Sequence, residues 1–383
     1  MKKTLLLPLF LLLINFFALA QKTDLSKLPN SFYSGKQGKM HIQGVAVDHA
    51  NGFVYLSFTN KLLKMDFSGK LLGSVTGFVG HLGDLDFDAE TGRIYGSLEY
   101  KNDAIGKGIN KHLGVTDRVE VGFYVAVFDT KRINKIDMDA EKEDLLRTVY
   151  IKEAVVDYLA KVKVGEKEVE HRFACSGIDG VAIAPSVDNP KDRKKYLYVA
   201  YGVYGDTTRN DNDNQVILQY DLTNLDKLAA PLSQEKLHQS GPSKPTQKYF
   251  VYTGNSRYGI QNLAYDAHSG HFFAAVYRGS KSQFPNYDLF VIDGKTKSKS
   301  GFAIVNNKKV KVKTLSLLNA GPKDEKSGIN GWRFKWGATG LCPLGDGYFY
   351  ISHNGKSKDG QQEATIYKYK WLGSEQEAFV MVK

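Results

Sequence analysis

Three histidines and three carboxylates recur at matching places in a repeated phrase, and their types suit metal or acid–base chemistry. His41 opens HIQGVAVD, His81 opens HLGDLDFD, and His353 ends YFYISH. Asp84 and Asp179 sit just inside such phrases, and Glu99 ends the stretch RIYGSLE. Neutral imidazole ligates transition metals and carries protons near neutral pH. Carboxylates supply hard oxygen ligands or act as general acids and bases. His41, His81 and His353 therefore read as a metal set. His81, Asp84, Glu99 and Asp179 read as a catalytic set, with a divalent cation as the implied cofactor. Glycoside cleavage would need two of these carboxylates to flank one bond, and no spacing fixes such a pair. The competing reading makes the same groups polar lining of a central channel, or partners for strand backbones that have no neighbour across it.

A second group suits ligand binding. Arg278 can clamp a carboxylate or phosphate with both guanidinium edges. Tyr258 and Trp336 offer flat faces on which a sugar stacks. Gln43 and Gln261, at positions equivalent to Asp84 and Asp179, add hydrogen-bonding oxygens. A small polar or anionic substrate fits this set, either a carbohydrate or an ester, processed by a metal-assisted hydrolase or lyase; the alternative is a non-catalytic ligand-binding or scaffold protein, and the partner is in either case a small molecule or glycan.

These residues must be placed by the repeat itself. The phrase returns as HIQGVAVD (41–48), HLGDLDFD (81–88), SGIDGVAIA (176–184), YGIQNLAYD (258–266) and WGATGLCPL (336–344). Each is followed by a turn and a second strand with an aromatic: FVYLSF, RIYGSL, KYLYVA, HFFAAV and YFYISH. Strand–turn–strand units at such periods are propeller blades. Period-two alternation gives four strands per unit. The fold class expected is all-β, a five-bladed propeller, with six blades as the alternative if residues 22–38 combine with part of 300–335. Unit four has room for an extra hairpin turned at Asn306-Asn307. KEAVVDYLAKV (152–162) has helical spacing and predicts one short inserted helix. Phrase openings and second-strand ends then share one face, the top. The second-to-third-strand connections on that face are long, near 101–120, 202–214, 279–286 and 354–363, as functional loops usually are.

The phrase and its turn resemble the innermost hairpin of secreted propellers of the NHL, gluconolactonase, strictosidine-synthase and esterase-like phytase types. HIQGVAVDHANGFVYLS and YGIQNLAYDAHSGHFFAAV carry the resemblance best. It implies a divalent metal at the top of the channel. It covers the repeats alone, and no catalytic residue carries over from it.

Composition narrows the classes. Residues 1–20 hold Lys2 and Lys3, an apolar run and Ala18-Leu19-Ala20, the pattern of a secretory signal. The expected mature chain is one domain over 21–383, secreted or periplasmic, monomeric, without an integral membrane segment. The formal charge of +11 falls by two, to +9, without Lys2 and Lys3. Lysines cluster in KDRKK, KTKSK and NNKKVKVK, where they protect hairpin tips and edges from pairing. Export and the lack of a recognisable binding module disfavour nucleic acid. Cys175 and Cys342 fall on non-adjacent units and predict no disulfide. RNDNDNQ (209–215) departs from the calcium-loop pattern and reads as a solvated loop. No P-loop, GxSxG or Rossmann fingerprint is present.

Overall fold

The computed structural model describes residue 25 and residues 28–115, 120–170, 177–192, 194–203, 205–305 and 308–383. Five sheets, antiparallel apart from one outer pair in each of blades one and three, form a ring. The innermost strands are Ile42–Asp48, His81–Asp88, Gly180–Ala184, Ser256–Asp266 and Leu341–Gly345. Each touches the next around the axis, and the last returns to the first. A sixth blade does not form. Ser31–Tyr33 pairs instead with Gln362–Trp371 of blade five, beside Phe379–Met381, so both chain ends close the same sheet.

Blade one matches the simple alternation in the sequence: Ile42–Asp48, Phe53–Phe58, Lys61–Asp66 and Leu71–Thr76. Four apolar clusters fill the gaps between neighbouring blades, one of them spanning blades one to three. Blade four has three ladder strands, ending at Leu289–Ile292, with isolated bridges from Leu289 to Trp332 and from Ile292 to Leu317. The hairpin expected there forms on blade three, and this corrects its assignment. Its strand Lys308–Leu315 runs parallel to the outer strand Gln247–Tyr252, whose edge would otherwise be unpaired. The expected turn, Asn306-Asn307, lies outside the described residues.

The inserted helix is present as Lys152–Leu159, and two more occur among the described residues. Ala104–Leu113 starts at Asp103, whose side chain accepts from Gly106 N, and stops at left-handed Gly114. Leu222–Lys227 is capped by Asp221 in the same way.

Two features of the innermost strands position the site. Bulges at equivalent places in blades one, two and four interrupt the register, between Ile42 and Gly44, Leu82 and Leu85, and Ile260 and Asn262. An extra residue re-aims local side chains, and these bulges hold Gln43, Asp84 and Gln261. The strands also approach closely. A Cβ on Gly44 would stand 2.8 Å from Leu85 N, which explains the small residue in the phrase.

RNDNDNQ is not a solvated loop. Arg209, Asp211 and Asn212 are buried. The Lys281 ammonium enters the segment and donates to Arg209 O, to Asn212 Oδ1 at 2.6 Å and to Asp213 Oδ1. A fixed cation thus sits among three oxygens, and it joins the top-face loops of blades three and four. Residues 1–20 and Cys175 lie outside the described residues. Cys342 is buried and free. Among the described residues, no helix is long and apolar enough to cross a membrane.

Candidate functional site

Strand pairing builds the centre of the top face. His81 and Glu99 are directly opposite in the ladder of blade two, so their side chains share one side of the sheet. His81 Nδ1 lies 2.9 Å from Glu99 Oε1. Asp179 arrives from blade three, just before its innermost strand. Its carbonyl accepts from Asp84 N at 3.0 Å and Ser97 Oγ at 2.9 Å, which ties it to blade two. Asp179 Oδ1 then stands 3.6 Å from His81 Nδ1, and Oδ2 accepts Gln261 Nε2 at 2.9 Å from blade four. Lys101 Nζ is 2.7 Å from Glu99 Oε1, both side chains being 1% exposed. Gly177, at φ +89°, lies against this carboxylate. A Cβ there would fall 0.8 Å from Glu99 Oε2.

One ligand atom from each of His81, Glu99 and Asp179 falls within 4.8 Å of the others. Glu99 Oε2 and Asp179 Oδ1 are buried without a hydrogen-bond partner. Burial pushes both carboxyls up into the neutral range. Lys101 opposes this at Glu99, and the charge of Glu99 adds to it at Asp179. Burial lowers His81 to about 4, against the pull of Asp179, so the ring is neutral at physiological pH. Lys101 is itself penalised by burial, but Glu99, Asp103 and Asp179 outweigh that and hold it charged. A neutral nitrogen, two crowded carboxylates and one fixed cation therefore share a closed space. Beside this cluster, between the helix Ala104–Leu113 and the side of His81, Glu99 and Lys101 away from Asp179, lies a cavity of about 10 Å³, room for roughly one water-sized occupant.

The other expected residues divide into neighbours and outliers. Gln43 joins His41 Nε2 at 3.1 Å and donates to Thr59 Oγ1 at 3.3 Å. His41 is lowered to about 4 by burial and by His81, so it lies within electrostatic reach of the centre, though outside the group of three. Tyr258 meets Tyr277 edge to face at 5.8 Å, with Arg257 over its ring. Burial and then Asp179 push Tyr277 up to about 12. His353 is placed elsewhere. It stacks on Trp336 at 3.8 Å and meets the Tyr369 hydroxyl at 2.8 Å. Arg278 is held bidentately by Asp288 at 3.1 and 2.7 Å.

Asp84 lies below the centre as a stitch. Its carboxylate accepts Leu85 N at 2.9 Å, Val181 N at 3.0 Å and Leu263 N at 2.8 Å, joining blades two, three and four. Asn262 does the same for blades one, four and five, donating to Gln43 O and accepting from Leu341 N. Together they plug the axis. Sequence reasoning missed Asn262, Gly177 and Lys101. Lys101 had a signal, because it follows Glu99 by two residues and so falls on the same side of an extended chain.

No family model matches this chain, and comparison with curated proteins finds no match.

Proposed function

We propose that this is an exported, monomeric propeller whose top-face centre binds a divalent cation through His81, Glu99 and Asp179. The cation in turn holds a small polar or anionic ligand, a carbohydrate or an ester. The observation that carries this reading is the pair of buried carboxylate oxygens, Glu99 Oε2 and Asp179 Oδ1, that lack a well-formed hydrogen bond beside a neutral histidine, with the Ile178 backbone N–H as the one donor near Glu99 besides Lys101 and His81. Leaving such atoms bare is costly, so a cation or a proton belongs between them. The separation of 3.6 Å between Asp179 Oδ1 and His81 Nδ1 suits a shared ion, since ligands about 2.1 Å from a metal stand roughly 3–3.5 Å apart. Charge balance supports it as well. Glu99 and Asp179 carry two negative charges and Lys101 one positive. A divalent cation leaves the centre net positive, a suitable seat for an anionic group or a polarised carbonyl. The residues Lys2-Lys3, the apolar run and Ala18-Leu19-Ala20 support export.

One observation favours a second, non-catalytic reading. The space beneath the helix Ala104–Leu113 holds roughly one water. A centre that admits no substrate is a binding or scaffold feature in which Lys101 and a shared proton neutralise the carboxylates. Metal analysis separates the two. Protein purified without chelator is expected to carry close to one divalent ion, lost on chelation with a fall in melting temperature. His81→Ala, by removing a ligand, should cost more than about tenfold in metal affinity. A metal-free wild-type protein whose melting temperature ignores every divalent cation would support the scaffold.

A further inference from the structure

The plug of Asp84 and Asn262 divides the axis, and beneath it the bottom face opens into a second cavity of about 530 Å³. This volume is in the range of small-molecule sites. Its walls come from the C-terminal ends of the innermost strands. Val47, Leu263 and Leu341 are apolar, and Phe87 and Tyr265 present half-buried aromatic rings. Asp86 lies among them.

Asp86 accepts Phe87 N and Ile183 N, each at 2.7 Å. A carboxylate has about four acceptor sites, so two remain. Among the described residues, no lysine or arginine forms an ion pair with it, and the charge of Lys195, held by Asp88 and Glu90, reaches it only at longer range. The neighbouring acids are already served. Asp48 holds Asn51, and Glu90 shares Lys195 at 3.1 Å with Asp88. His49 Nδ1, also in the lining, is buried without a partner. An acid with spare acceptors in a cavity whose wall also carries the aromatic residues Phe87 and Tyr265 is the chemistry that recognises an organic cation.

We propose that the bottom cavity is a second binding site, for a small amine whose ammonium meets Asp86 and whose apolar body lies against Phe87 and Tyr265. The site is independent of the top-face centre, because Asp84 and Asn262 stand between them and neither contributes to the cavity wall. Lys131 at the rim disfavours an ammonium, so any preference for the amine comes from Asp86.

Calorimetric titration with three probes of one shape tests this: phenethylamine, 2-phenylethanol and phenylacetate. Phenethylamine should bind saturably, about tenfold or more tighter than 2-phenylethanol, the worth of one charge-assisted hydrogen bond. Phenylacetate should bind more weakly still. Asp86→Asn should remove that preference for the amine. Ala89→Trp, at an exposed rim position that needs no core rearrangement, should block all three probes even if Asp86→Asn folds poorly. Glu99→Gln, at the top centre, should leave phenethylamine binding unchanged. Equal affinity for the three probes, no saturable binding of phenethylamine to the wild type, or undiminished binding in Ala89→Trp would overturn the proposal.

Discussion

Replacing Lys281 with Met should release the junction of two top-face loops, and its cost follows from the groups left behind. The Lys281 side chain is 1% exposed, and Asp213 is 18% exposed. Methionine fills similar space, so little packing is lost. Three acceptors lose their donor: Arg209 O, Asn212 Oδ1 and the Asp213 carboxylate. Removing one partner of a buried ion pair costs about 3–5 kcal/mol, mostly from the stranded charge. Asp213 keeps some contact with water, which puts the expected cost near the low end, about 3 kcal/mol. At roughly 2 °C per kcal/mol for a large domain, melting should fall by about 6 °C. Urea denaturation should give the same difference. Asp213→Asn alone should cost less. The double variant should cost less than the sum of the singles, since the two changes remove one interaction. The smaller Lys281→Ala should gain a stabilisation by Ca²⁺ that the wild type lacks, because it empties an oxygen-lined seat. A cost below about 1 kcal/mol for Lys281→Met, with additive singles, would refute the buried-pair account.

Phe32 is buried in the closing strand and meets Tyr350 edge to face at 5.3 Å. Phe32→Ala should therefore cost about 3–5 kcal/mol in denaturation experiments, and a change under about 1 kcal/mol would mean that the clasp does not hold the ring. In chelator, the folded state holds protons on Glu99 and Asp179 that the unfolded chain has released, so their contribution is lost as pH rises through the neutral range. Glu99→Gln should flatten that alkaline decline in urea-derived stability, and an unchanged slope would count against a raised Glu99. Below about 6.5, the unfolded histidine value, His41, His81 and His353 oppose the carboxyls' gain with acid, because each is lowered to about 4 and resists protonation in the folded state. Mass spectrometry of exported protein should find a chain starting near Gln21, and an intact Met1 start would defeat the signal reading.

The ring was legible because an inner strand and its partner repeat as a phrase with period-two alternation and a turn. Blade one shows this within a residue at each boundary. The closing strand was not legible, since Ser31–Tyr33 is short and its partner lies at the far end of the chain. The hairpin Lys299–Val305 and Lys308–Leu315 reads as a hairpin anywhere, and only the open edge of blade three decides where it docks. Repeat position told which face a residue lies on, and it succeeded for His81 and Glu99, which face each other across a ladder. It could not give direction within that face, so His353 reads as a metal partner and stands instead on Trp336 and Tyr369. Bulges also escape a strict period of two. They turn Asp84 toward backbone N–H groups of three blades, a role that looks in sequence like that of a catalytic acid.

The central claim is that a divalent cation sits between His81, Glu99 and Asp179, and anomalous diffraction tests it most directly. Crystals of protein purified without chelator, then supplied with Mn²⁺ or Zn²⁺, should show one anomalous peak within ligand distance of His81 Nδ1, a Glu99 oxygen and Asp179 Oδ1. The peak should vanish in His81→Ala. Density for a single proton-sharing carboxylate pair with no anomalous signal, in crystals soaked with either metal, would contradict the account.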